Sequence, residues 1–336
     1  MKSLGPSNWL SRRRFVEYGA ASFAFSSLVA KAQGAPLPQG TPAPPAAQPV
    51  SPEIAAATDA AQRLTIGVRM NGRGPFRFVV DTGADRSVIA EDVAQSLNLP
   101  RGDRVMVEGV IRSVPTDTAE VTQLAVGPVT RTNLSVPVLP RSQLLADGYL
   151  GLDVIDGYRV TLDFKSNELL LGMPSQMPRY LVPPSGGNQP NELTVPVAGR
   201  HGHLRAFGCS IDRIRAVTFV DTGAEISVGN SRLFDALVAN DSSYFKQDII
   251  QLTGVTGGIV TGHVTTLKHV RMNSLNFENG DIAIVDLQIF DLWDLSDRPA
   301  LLIGMNWLRQ FSRVSIDYGR KELRFDLAAR AAAVSA

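Results

Sequence analysis

Residues 77–90 read RFVVDTGADRSVIA, and residues 218–230 read TFVDTGAEISVGN. In both, an apolar run leads into Asp-Thr-Gly-Ala. An acidic residue (Asp85, Glu225), a serine two positions on (Ser87, Ser227) and a valine (Val88, Val228) then follow. A carboxylate set between two buried strands is costly to ionise unless it has partners or a task. Alone, Asp81 reads equally well as a turn cap. One Asp-Thr-Gly-Ala is a weak signal, but two in matching frames 140 residues apart are a repeat.

The flanks repeat too. LTIGVRMNGRGPFRFVV precedes the first copy, alternating apolar residues through an Asn-Gly turn, which is a β-hairpin pattern. A longer, less regular version, ELTVPVAGRHGHLRAFGCSIDRIRAVTFV, precedes the second. A short helical pattern follows each copy, AEDVAQSLNL and SRLFDALVAN, and then strands with glycine-containing turns. Each half closes alike, with GYLGLDVIDGYRVTLDFKSNELLL and ALLIGMNWLRQFSRVSIDYGRKELRF. The unit is a small β-barrel of about 120 residues, present twice. The expected organisation is lobe 1 at 59–175, a Pro/Gly-rich connector at 176–191, lobe 2 at 192–328 and a tail at 329–336.

The amino terminus reads as an address. Residues 11–33, SRRRFVEYGAASFAFSSLVAKAQ, have a basic start, an apolar middle too short to span a bilayer comfortably, and a small-residue end. Ser11-Arg12-Arg13-Arg14-Phe15-Val16 resembles the twin-arginine export consensus, and Ala30-Lys31-Ala32 fits cleavage after residue 32. An ordinary export signal with a chance arginine pair is the plain alternative. A periplasmic or secreted bacterial protein is expected, tethered to the membrane only if the signal stays uncleaved. Residues 33–58 read as a Pro/Ala-rich linker, with seven prolines and no charge between 35 and 52.

Composition narrows the function. The chain is 44% hydrophobic with mean hydropathy +0.02, enough for a sizeable core. Beyond residue 32 there are 28 basic and 31 acidic residues and no basic block, so nucleic-acid binding has no electrostatic footing. Cys209 is the only cysteine, which excludes a disulfide scaffold and reads as a plain packed or surface residue. His201, His203, His263 and His269 lack a carboxylate-rich loop and read as surface residues; no metal or cofactor is expected.

Two homologous lobes tend to pack through the same surface about a pseudo-twofold axis. If the Asp-Thr-Gly-Ala turns meet there, Asp81 and Asp221 share one proton in a water-poor cleft. The charged member then deprotonates a water while the protonated member hydrogen-bonds the carbonyl under attack. Gly83 and Gly223 allow a sharp turn, Thr82 and Thr222 offer hydroxyls across the axis, and Gly151 and Gly304 leave room for the turns.

FVVDTGA with GYLGLD, and FVDTGA with LLIGMN, resemble the paired signatures of retropepsin-like aspartic proteases, in the bacterial form with two lobes in one chain. The resemblance covers residues 60 to 328. It implies an all-β fold, two pepsin/retropepsin-like β-barrel lobes related by pseudo-twofold symmetry with the active site at their interface. It also implies an Asp81–Asp221 catalytic dyad, supported by Thr82, Gly83, Ala84, Thr222, Gly223 and Ala224, and a polypeptide substrate. A glycine-bearing hairpin in each lobe would form a flap, with Gly254, Gly257 and Gly258 in lobe 2. Lobe 1 offers only Gly109, so its flap is the less secure expectation. Asp85 and Glu225 would bind the substrate backbone, or equally pair with a neighbouring arginine. Pepsin-like enzymes usually carry Ser or Thr where Ala84 and Ala224 stand, so a weakly acidic to neutral optimum is expected.

Two rivals stay open. One is a module that grips peptides without cutting. The other is a homodimer in which lobes pair between chains, although a monomer is favoured. Trp293 and Trp307 read as core or cleft-wall aromatics.

Overall fold

The computed structural model describes residues 53–55, 57–58, 64–172, 192–200, 203–206, 208–246, 248–272 and 275–327. The export signal, most of the linker, the 176–191 connector and the 329–336 tail lie outside the described residues.

In the first half, strands Leu64–Met70, Arg73–Val80, Gly148–Leu150, Val88–Ala90, Val129–Leu139 and Ser113–Val126 are neighbours in that order. The last pairs back onto the first, closing a six-stranded barrel. The expected Asn-Gly hairpin is formed, with Asn71 and Gly72 at φ 48° and 76°. Phe78, Val79 and Val80 are all buried, which explains why this strand reads as a continuous apolar run rather than an alternating one. Strand Arg101–Glu108 pairs only with Ser113–Val126 and projects from the barrel as a hairpin.

The second half repeats this order with Val217–Val220, Ala300–Ile303, Val228–Gly229, Leu275–Ile284 and Ile259–Met272. Its closing strand comes in two pieces. His203–Ala206 pairs with Val217–Val220, and Cys209–Ile211 pairs with Ile259–Met272, leaving a curled sheet. Ile249–Thr253 pairs only with Ile259–Met272, giving a second projecting hairpin. The helices Glu91–Ser96 and Ser231–Asn240 fall where the sequence places them, the latter capped by Asn230 Oδ1 accepting from the Leu233 amide at 3.0 Å. Buried Cys209 is a packed residue, its thiol pKa pushed up by burial.

A shared sheet joins the halves. Strands Glu53–Ala55, Glu168–Gly172, Arg159–Asp163, Phe311–Asp317, Glu322–Leu327 and Glu192–Arg200 lie side by side in that order. Exchanging the halves maps this order onto itself. At the centre, the Thr161 and Ser315 hydroxyls hydrogen-bond at 3.0 Å, and Arg313 bridges to Asp163 at 2.6 Å. The linker boundary at 58 is therefore too late: Glu53–Ala55 is already the edge strand on Glu168–Gly172, and Ala57–Thr58 pairs with Leu64–Met70. An exposed row of backbone groups needs a partner, and this segment supplies it in spite of its alanine-rich sequence.

Candidate active site

Each Asp-Thr-Gly-Ala turn leaves a central strand where that strand runs parallel to the closing motif of the same half. The Asp81 amide donates to the Leu150 carbonyl at 3.0 Å, and the Asp221 amide to Ile303 at 2.9 Å. Below the turns, the Ser87 amide and hydroxyl both donate to Asp153 Oδ1, at 2.9 and 2.7 Å. Ser227 does the same to Asn306 Oδ1, at 2.9 and 2.8 Å. Gly151 and Gly304 sit where a Cβ would lie 2.6 Å from Arg86 C and 2.7 Å from Ile226 O, so only glycine lets the closing motifs pass. The Ala84 and Ala224 carbonyls accept from the Leu152 and Met305 amides there, at 2.9 and 2.8 Å.

Across the axis, the threonines interlock. The Thr82 amide donates to Thr222 Oγ1 at 3.2 Å, and the Thr222 amide to Thr82 Oγ1 at 3.1 Å. Each hydroxyl donates onward into the opposite strand, Thr82 to the Val220 carbonyl at 3.2 Å and Thr222 to the Val80 carbonyl at 2.7 Å. Both threonines are buried, so these bonds fix the turns relative to one another.

That lock brings the carboxylates together. The Gly83 amide donates to Asp81 Oδ1 and the Gly223 amide to Asp221 Oδ1, both at 2.8 Å. Each glycine also faces the opposite carboxyl. A Cβ on Gly83 would lie 2.8 Å from Asp221 Cγ, and one on Gly223 2.6 Å from Asp81 Cγ. Asp221 is buried and Asp81 half-buried. Beneath them, burial pushes the Tyr318 phenol well above its usual range, aided by the negative charges of Asp81, Asp156 and Asp221. Tyr318 therefore stays neutral under the pair.

Both aspartates open into one cavity of about 230 Å³. Val88, Val107, Leu139 and Tyr149 form its first-half wall, and Val255, Ile289 and Trp293 its second-half wall. Residues 66–154 match the aspartyl protease family model. The match spans the first turn and its closing motif; the second copy lies outside it. No curated protein matches the chain.

The other expected site residues divide. Asp85 is exposed and lines the cavity, whereas Glu225, also exposed, is not among its lining residues. Gly109 lines the cavity at the tip of the first hairpin. Gly254, Gly257 and Gly258 sit on the opposing tip, against Ile111 and Arg112. Where a first-half flap was expected, the chain forms a hairpin with a Gly109–Arg112 tip, its Gly109 amide donating to the Arg112 carbonyl at 3.1 Å. Trp293 is the wall residue the repeat does not reveal. It stacks on Phe219 at 4.6 Å, and no counterpart in lobe 1 marks it. Trp307 is core, its indole N–H donating to the Asp281 carbonyl at 3.1 Å.

Proposed function

We propose that the protein is an aspartic endopeptidase that hydrolyses peptide bonds with a water activated by Asp81 and Asp221. The observation that carries this reading is the reciprocal Thr82–Thr222 lock, which sets two carboxyls against each other's glycine in one cavity. Two carboxylates that close hold one proton between them. The ionised member takes a proton from water as it attacks, and the protonated member donates to the carbonyl oxygen as charge develops. The apolar walls favour an extended peptide with an apolar side chain beside the cut. The twin-arginine-like signal supports export and substrates in the bacterial envelope. Both turns belong to one chain, which supports a monomer. The test is a peptide-library digest with the purified chain, Asp81→Asn and Asp221→Asn. Cleavage by the parent with loss in both variants is expected; equal cleavage by either variant overturns the two-aspartate mechanism.

A further inference from the structure

The two projecting hairpins meet tip to tip over the cleft, yet their tips are not interchangeable. One reads Gly109-Val110-Ile111-Arg112, the other Gly254-Val255-Thr256-Gly257-Gly258. Both valines line the dyad cavity, and Val110 reaches the opposite half. The Val110 carbonyl accepts from the Ile289 amide at 3.3 Å, and Val255 lines the dyad cavity. Beyond the valines the symmetry ends. Ile111 fills a notch where Cβ atoms on Gly254 and Gly258 would lie 3.4 and 3.3 Å from it. Arg112 Nε donates to the Thr256 carbonyl at 3.0 Å, and the Thr256 hydroxyl donates back to the Arg112 carbonyl at 2.7 Å. Thr256 is fully buried by this contact. Gly257 and Gly258 hold φ 77° and 86°, and a Cβ on Gly257 would lie 2.5 Å from Arg112 Nη2.

We propose that the tips form a heterologous lock. Ile111 and Arg112 are its key, Gly254, Thr256, Gly257 and Gly258 its socket, and Arg112 and Thr256 are positioning residues that hold the cleft shut between turnovers. Identical tips could not build it. Two Ile-Arg tips would crowd two side-chain pairs into the space one fills, and two Gly-Gly tips would leave that space empty. The lock therefore requires two halves whose tips differ in sequence. It rests on the protease reading for its effect on ligand access alone.

Hydrogen exchange on the full chain tests the lock directly. A net hydrogen bond is worth about a fivefold change in an equilibrium, so losing one or two opens the tips about tenfold. Thr256→Val is expected to speed exchange about tenfold at residues 109–113, in the other half, as well as at 254–258. Thr256→Ser keeps the hydroxyl and stays near the parent. Arg112→Ala removes the other of the two bonds and matches Thr256→Val, and the double variant, which loses both, exceeds either. Melting temperature stays within about 2 °C throughout. A peptide carrying a hydroxyl mimic of the tetrahedral intermediate associates about tenfold faster with the valine variant, since the open fraction limits access. Unchanged exchange at 109–113 in Thr256→Val, or unchanged exchange at 254–258 in Arg112→Ala, overturns the lock. If the peptide binds no variant while exchange behaves as expected, the lock stands and the protease reading falls.

Discussion

Thr222→Val removes one hydroxyl and little else, and the structure sets what that costs. Thr222 Oγ1 accepts from the Thr82 amide at 3.2 Å and donates to the Val80 carbonyl at 2.7 Å. Thr82 and Val80 are each 1% exposed, so no solvent replaces the lost partner. Each orphaned buried group costs about 1–3 kcal/mol, and about 3 kcal/mol for the two allows for partial relaxation. At about 2–3 °C per kcal/mol for a fold of this size, calorimetry should show the melting temperature fall by about 6–9 °C. Thr222→Ser, which keeps the hydroxyl and loses a methyl, should fall by about 2 °C. Because the lost bonds fix one carboxylate against the other, kcat/KM on a cleaved peptide should drop at least about tenfold in the valine variant and recover in the serine variant. A valine variant that melts within 1 °C of the parent and cleaves equally well would refute the claim that this lock assembles the site.

Other outcomes follow from the same geometry. Burial alone would raise the Asp163 pKa, but the Ser166 amide and the Arg313 guanidinium hold it below the usual carboxylate range. Its stabilisation is full above about pH 4 and is lost as pH falls through the folded value, so Asp163→Asn should flatten the acid limb of a melting-temperature profile. Ala84→Ser places a hydroxyl beside Asp81 and should move the acid limb of a kcat/KM profile down by about 0.5–1 pH unit; an upward shift would count against the hydrogen-bonding account of the optimum. Trp293→Ala removes a cavity wall, so library profiling should show a shift towards bulkier apolar side chains at one subsite, and an unaltered profile would take Trp293 out of substrate selection.

The repeat was legible because the constraints that make it are local. Asp-Thr-Gly-Ala needs its own glycine to turn, and Gly151 and Gly304 are dictated by backbone passing within van der Waals distance. Such residues leave a mark at fixed spacing. The first-half hairpin tip was harder to read because it carries Ile111 and Arg112 in place of glycines, and its partners are residues of the other half. For Trp293 the sequence left core and cleft wall both open, because its place on the cavity wall comes from the segment following strand Leu275–Ile284 and not from the repeated turns. Strand Glu53–Ala55 was hidden by composition, since its pairing is to the Glu168–Gly172 backbone and needs no β-forming side chains.

The palindromic sheet also governs when the protein becomes what it is. Arg159–Asp163 finds its partner in Phe311–Asp317, and the Asp163–Arg313 bridge spans 150 residues. Contacts so distant in sequence form late, after the loop between them has been closed. During synthesis the first barrel can collapse around its own apolar strands, but its outer hairpin must wait for residues 311–327. Until they arrive, the threonine lock between the two turns has no shared sheet behind it. A growing chain thus holds both aspartates well before the strands that brace them are complete.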